Sequence, residues 1–446
     1  MSDQMTTRPR KSVIDIIAIG FGQTVVMWGL GYVCRLSPTA IPSWLVLVLM
    51  LTCMLAGGVV AGRLTLRGWR GGSAVGALSA VLNMMILGSL LGGDRPNQIV
   101  PSALWWVPGS VLVGGVIGGL GAMFGGAVTR ERPGRVNWLS ALATTATAAC
   151  LLLLTAGGLV TSKEAGLAVV DWPNSFGYNM FLYPLSRMTG GIYYEHTHRL
   201  LGSLLGLTVI TLTICVWRSE RGSGVRWLAV LVLLSVVIQG VFGGLRVTGR
   251  FTLSASRAEM APSIRLAIVH GVLGQAIFAA LTAITAVTFT RWATARPPVV
   301  SRFAATDRTL SVALPCLLIL QLIFGAVLRH TYVGMPVHIA MAVIVGVLAL
   351  ALGLRAWGLY DAGQLRRLGI GLLVLTGVQV VLGVAALIAT GALALRKPPP
   401  TTEVVLATAH QAVGAVLLGW AVLLLLWNRR LVSPMTSDPG EPPVQM

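Results

Sequence analysis

Apolar runs of about 20 residues recur along the whole chain, and each is long enough to cross a bilayer as a helix. No other feature narrows the fold as much, because lipid admits only helices and closed barrels, which satisfy their own backbone hydrogen bonds. Twelve such runs stand out, over residues 13–33, 44–62, 72–93, 104–129, 137–160, 194–217, 227–248, 264–289, 309–329, 337–356, 368–393 and 403–428. They predict an all-α polytopic membrane protein of about twelve transmembrane helices. The net charge of +19 would suggest nucleic acid in a soluble protein, but only 11% of residues are charged and 55% are hydrophobic. The charges instead follow the spans. Loops at 8–11, 63–70, 130–135, 218–226, 291–308, 355–367 and 429–430 fall on one side and hold 21 of the 33 Lys and Arg residues. That bias predicts a multi-pass membrane protein with both termini in the cytoplasm. It excludes nucleic acid as a partner and leaves membrane lipid.

The five cysteines, Cys34, Cys53, Cys150, Cys215 and Cys316, lie in or at the ends of apolar runs with no CxxC pair. They read as packing residues. The first run is too long for a signal peptide and lacks a small-residue cleavage site, so it reads as a retained span.

Composition divides the chain. Residues 1–135 contain no histidine and are Gly-rich, as in "VGGVIGGLGAMFGGAV", which suits close helix packing in lipid. "RERPGR" at 130–135 reads as a joint. All six histidines follow it. The second part repeats: Gln239–Gly243, Gln321–Gly325 and Gln379–Gly383 share a spacing of four near the ends of three spans, and the next span in each case opens near a histidine. His198, His270, His338 and His410 thus recur at intervals of 72, 68 and 72 residues, each followed four residues on by Gly202, Gly274, Ala342 or Gly414. The expected organisation is four units: an N-terminal four-helix region over 1–135, whose role is not legible, two pseudo-symmetric four-helix bundles over 136–290 and 291–432, and a Pro-rich disordered tail over 433–446.

A histidine within a span is costly and is a functional candidate by default. Small residues one turn away clear a flat surface, which suits a planar macrocycle better than a compact ion. Two facing helices can give two axial imidazoles to one haem iron. Adjacent hairpins pair His198 with His270 and His338 with His410. The halves differ. Glu195 lies one turn before His198, and Arg199 follows it, whereas Ala267, Met335 and Ala407 stand where the other hairpins would carry Glu195. The reaction is therefore expected in the first half and a resident cofactor in the second. His196 and His330 fall outside the repeat and read as interfacial or pocket-rim residues. Arg246, Arg265 and Arg329 lie near the span ends, where a guanidinium pairs well with a haem propionate.

The motif Glu195-x-x-His198-Arg199-x-x-Gly202, the stretch "GGLVTSKEAGLAVVDWP" (157–173), "FGAVLRHTYVG" and the other three histidines together resemble the heme A synthase family over about residues 137–430. The resemblance implies a pseudo-twofold pair of four-helix bundles and an oxidoreductase that converts the C8 methyl of heme O to a formyl group, via a hydroxymethyl intermediate, for cytochrome oxidase maturation. It implies Glu195 as the catalytic carboxylate. His198 and His270, with Arg199, would take the substrate heme O; His338 and His410, with Arg329, a haem b. A heme O synthase and an electron-transfer partner are the implied partners, and a homo-oligomer is allowed. The chain departs from the family in two ways. Many bacterial members carry a cysteine pair in the first outer loop, and Thr161 to Gly191 holds none. The four N-terminal spans lie outside the family core. A haem-binding transporter or chaperone, and a b-type cytochrome, stay open as alternatives. The carrier would not need a lone carboxylate at one histidine pair, and the cytochrome would favour two equivalent haem sites at different depths, whereas all four histidines lie near one face.

Overall fold

A computed structural model describes residues 13–36, 41–93, 95–128, 136–219, 221–248, 263–393 and 399–435. The arginine and lysine cluster at 8–11, the joint at 130–135 and residues 436–446 of the tail lie outside the described residues.

Thirteen helices are described: α1 (Ile14–Cys34), α2 (Ser43–Leu64), α3 (Gly68–Ile86), α4 (Ala103–Val128), α5 (Trp138–Ser162), α6 (Gly190–Trp217), α7 (Ser223–Thr248), α8 (Ile264–Thr288), the short α9 (Thr290–Ala293), α10 (Ala304–Thr331), α11 (Met335–Gly358), α12 (Gly363–Leu393) and α13 (Thr401–Leu431). The twelve long ones coincide with the twelve expected runs. Eleven are long and apolar enough to cross a membrane. The exception is α3, diluted by six glycine and serine residues, Arg70 and Asn83. The chain is an all-helical, multi-pass membrane protein.

Local sequence sets several helix starts. Asn137 caps α5 by accepting the Ser140 N–H at 3.1 Å, and Ser263 caps α8 by accepting that of Leu266 at 3.3 Å. Between α10 and α11 the chain reverses through Tyr332 and Gly334, whose φ values of 59° and 91° are left-handed; the glycine adopts this without Cβ strain.

Helices α5–α8 share one apolar core, to which α1 and α3 contribute Phe21, Val25 and Leu82. Helices α10–α13 share a second core, joined by Ala279 of α8. The seam between the two sets is made by α5 and α8 against α13, and by α8 against α10. Helices α2, α3 and α4 pack tightly on one another. A Cβ at Gly58, Gly62, Gly72 or Gly76 would collide with the backbone of α4, which is the close approach the Gly-rich sequence implied. Two small strand pairs complete the described fold. The hairpin β1 (Asn174–Ser175) and β2 (Tyr178–Asn179) is antiparallel, and β3 (Val299–Ser301) runs parallel to β4 (Val432–Pro434). The first residues of the expected disordered tail, Ser433 and Pro434, are therefore strand.

Candidate functional site

Each histidine helix enters from the same end of the molecule, and the 163–189 loop lies at that end between α5 and α6. His198, His270, His338 and His410 are all half-buried. The repeat gives each a matching seat. A Cβ at Gly157 on α5 would lie 2.9 Å from Cε1 of His198; at Gly243 on α7, 3.2 Å from that of His270; at Gly325 on α10, 2.9 Å from that of His338; and at Gly383 on α12, 2.9 Å from that of His410. Only glycine lets the imidazole edge lie against the preceding helix. The repeat's glutamines fix the other side. Gln239 Nε2 donates to the carbonyl of His270 at 2.8 Å, and Gln321 Nε2 to that of His338 at 3.1 Å.

The glycines one turn past the histidines serve a different purpose from the one expected. A Cβ at Gly274 would meet Gln239 Nε2 at 3.2 Å, and one at Gly414 would meet Gln379 Nε2 at 3.1 Å. These two make room for the glutamines. Gly202, whose hairpin has Leu153 in place of the glutamine, faces nothing within 4 Å.

The structure brings His198 to His270, with ring centres 6.4 Å apart and planes at 75°. His338 and His410 are within electrostatic reach of each other. Nδ1 of His198, His270 and His410 is buried without a hydrogen-bond partner. Among the described residues no three His, Cys, Asp or Glu side chains converge; the imidazoles meet in pairs.

Glu195 is 5% exposed. Its Oε1 accepts from Arg199 Nε at 3.1 Å, while Oε2 is buried without a partner. The structural ion pair is thus real, but it occupies one oxygen only. Arg199 does not turn toward the paired imidazoles. Its Nη1 donates to the carbonyls of Asp171 (2.7 Å) and Asn174 (3.1 Å), and its Nη2 to that of Val169 (2.9 Å). Arg199 therefore clamps the 163–189 loop onto the Glu195 turn. Asp171 orders the loop tip by accepting the N–H groups of Phe176 and Gly177 at 2.7 and 2.8 Å. The Trp172 ring covers Gly244 on α7. His196, on another face of α6, is 1% exposed; its Nδ1 lies 3.0 Å from Ser175 Oγ and its ring packs on Tyr183. It is a loop-packing residue.

Sequence reasoning gave no role to residues 1–135, yet they touch this loop. Asn97 Oδ1 accepts the Asn179 N–H at 2.6 Å. The turn at 88–91 packs on the turn at 180–182, where a Cβ at Gly88 would lie 3.0 Å from the Phe181 carbonyl. At the end of α1, the Tyr32 carbonyl accepts from Tyr193 Oη at 2.8 Å, and the two rings stack at 5.7 Å. Tyr193 is two residues before Glu195. The signal that could have found this contact is the polar stretch 93–98 between two apolar runs, but nothing in the sequence says which loop it meets.

Arg329 donates to the Thr161 carbonyl at 3.3 Å. With Arg246 and His330 it lines a cavity of about 210 Å³ between the two helix sets. Arg265 is exposed at the start of α8.

No curated protein matches the chain. Residues 140–339 match the model of the COX15-CtaA family, described as cytochrome oxidase assembly protein. The match covers Glu195, His198, His270 and His338, stops short of His410, and excludes helices α1–α4. The match to the COX15-CtaA family model thus spans the first helix set and the start of the second, where the glycine seats of His198, His270 and His338 lie.

Proposed function

We propose that the protein is a heme A synthase of the cell membrane, with both termini cytoplasmic. It oxidises the C8 methyl of heme O to an alcohol and then to an aldehyde hydrate, which loses water to give the formyl group of heme A. One observation carries the reading. A buried carboxylate oxygen without a partner, Glu195 Oε2, lies one helical turn from an imidazole pair, and the other histidine helices carry Ala267, Met335 and Ala407 at that position.

The donors fit a haem. Two imidazoles sharing one metal have ring centres about 6 Å apart, given metal–nitrogen bonds of roughly 2.0–2.1 Å, and His198 and His270 stand at 6.4 Å. His198 and His270 would hold the substrate heme O, and His338 and His410 a resident haem b. The haem b supplies one-electron redox chemistry when bound. The chain's own groups orient and move protons. Each oxidation replaces one C–H bond with C–OH, takes its oxygen from one water molecule, and releases two protons and two electrons, the electrons passing to the accepting partner. Glu195 Oε2 is the proton acceptor, while Arg199 holds the carboxylate by Oε1. Trp172 and the Arg199-clamped loop cover the α7 side of the site. A heme O synthase upstream and an electron-accepting partner follow from this chemistry.

Glu195→Gln keeps size and hydrogen bonding and removes the charge. The variant should bind haem as the wild type does and lose heme A formation, stalling at the alcohol. Heme A made at the wild-type rate would mean that Glu195 is structural. A haem carrier or a b-type cytochrome would be indifferent to the change.

A further inference from the structure

Helix α1 carries Thr24, Trp28 and Tyr32 at intervals of four, which sets them on one stripe. Helix α3 meets the first two with Ser79 and Asn83, also four apart. Thr24 Oγ1 lies 2.9 Å from Ser79 Oγ, and Trp28 Nε1 donates to Asn83 Oδ1 at 3.0 Å. Near the other end of α1, Arg67 Nε donates to Asp15 at 2.7 Å. Polar side chains in lipid have no water to fall back on, so such bonds tie α1 to α3 along most of its length. The third residue of the stripe reaches the first bundle instead. Tyr32 is 4% exposed and packs with Ala156 of α5 and Leu201 of α6, and its ring stacks on Tyr193. Its hydroxyl is buried without a hydrogen-bond partner, so the ring makes the contact.

Tyr32 therefore sits where it can act on two groups of the site. Ala156 precedes Gly157, against which the His198 ring rests, and Tyr193 is two residues before Glu195. The other arm of the same unit reaches the loop. Helix α3 ends at Ile86, and the turn at 88–91 packs on 180–182, where a Cβ at Gly88 would lie 3.0 Å from the Phe181 carbonyl. These contacts go to the first bundle. Helix α1 packs on α5 and α6, and α3 on α6, with no comparable packing of α1–α4 on α10–α13 among the described residues. We propose that α1–α4 are a built-in brace for the half of the fold that carries Glu195, and that Tyr32 is its positioning residue, holding the Glu195 turn and the His198 seat in register through Tyr193 and Ala156. What the brace positions rests on the Glu195 reading above; the packing that makes the brace does not.

The test uses the full chain in nanodiscs with Tyr32→Leu, which removes the stacked ring, Tyr32→Phe, which keeps it, and Gly88→Ala, which acts on the loop turn alone. Three quantities are read: kcat and KM for heme O conversion, haem b retained per chain by mass, and hydrogen exchange at 190–196 against 335–341. Tyr32→Leu should lower kcat by about tenfold or more at nearly constant KM, because a proton acceptor is displaced while the binding surface stays. It should raise exchange at 190–196 and leave 335–341 and the retained haem b unchanged. Tyr32→Phe should match the wild type in all three. Gly88→Ala should lower kcat in the same sense by a smaller factor, and it decides the question should Tyr32→Leu fail to fold. Wild-type kcat in both Tyr32→Leu and Gly88→Ala, a change in KM alone, or a loss of haem b in proportion to turnover overturns the brace; the last would show general destabilisation. A wild type that binds no heme O and converts none defeats the haem reading, and the exchange at 190–196 in Tyr32→Leu then decides the brace: a rise there, absent at 335–341 and reversed in Tyr32→Phe, supports it, and unchanged exchange overturns it.

Discussion

The glycine seats give a graded prediction. A methyl group placed at Gly325 or Gly383 would sit 2.9 Å from the Cε1 of His338 or His410. Ordinary contact begins at 3.4 Å, so the ring must retreat by about 0.5 Å or the helices must part. Overpacking of this kind costs roughly 1–3 kcal/mol, which at about 1.4 kcal/mol per decade is a five- to 150-fold loss of affinity for whatever the imidazole ligates. At Gly243 the contact would be 3.2 Å, so a shift of about 0.2 Å suffices and the penalty should fall toward the low end. A Cβ at Gly346 on α11 meets nothing within 4 Å; alanine there should be neutral or stabilise by up to about 1 kcal/mol. The assay is haem titration of purified Gly→Ala variants, followed by reduced-minus-oxidised absorbance. The expected order of damage is Gly325→Ala and Gly383→Ala, then Gly243→Ala, then Gly346→Ala. Wild-type affinity in the first two, or a Gly243→Ala variant worse than both, would refute the seat argument.

Arg199→Gln breaks a buried ion pair and three bonds to loop carbonyls, and should cost several kcal/mol locally; limited proteolysis should then cut within 163–189, and an intact loop would contradict the clamp. Asn97→Ala removes one bond from the N-terminal region to this loop, and Tyr193→Phe one from α6 to α1, worth about 1 kcal/mol each. Hydrogen exchange at 176–182 should rise in the first and at 190–196 in the second, and unchanged exchange would show that the contact does not hold the site. Asp307 is 1% exposed and accepts hydrogen bonds from both Arg355 and Tyr360. Tyr360→Phe should lower thermal stability by about 1 kcal/mol without altering haem binding; altered haem binding would link this far end to the site.

The helical architecture was legible because a span needs little more than length and apolarity. Twelve expected runs correspond to twelve long helices, with the start of α5 moved by one residue where Asn137 caps it. The histidine repeat was legible as well, and the structure sets His198 beside His270. Less visible was what the repeat's other residues do. The glutamine-to-glycine spacing could be read, but that the glycine seats the next helix's imidazole, and that Gly274 and Gly414 accommodate glutamines, depends on how two helices face each other. Arg199 shows the limit most clearly. Its place beside His198 suggested a macrocycle partner, yet three loop carbonyls, from Val169, Asp171 and Asn174, hold its guanidinium, because a folded loop presents unpaired acceptors that no local pattern reveals. The reach of Asn97 to Asn179, 82 residues away, is of the same kind.

The most direct test of the central claim is to purify the full chain from membranes of a heme O-producing host and identify its bound haems by mass. The account predicts two kinds: haem b, and heme O together with its hydroxymethyl derivative or heme A, with no heme A in Glu195→Gln. Haem b alone in the wild type, in a host that supplies heme O, would contradict it.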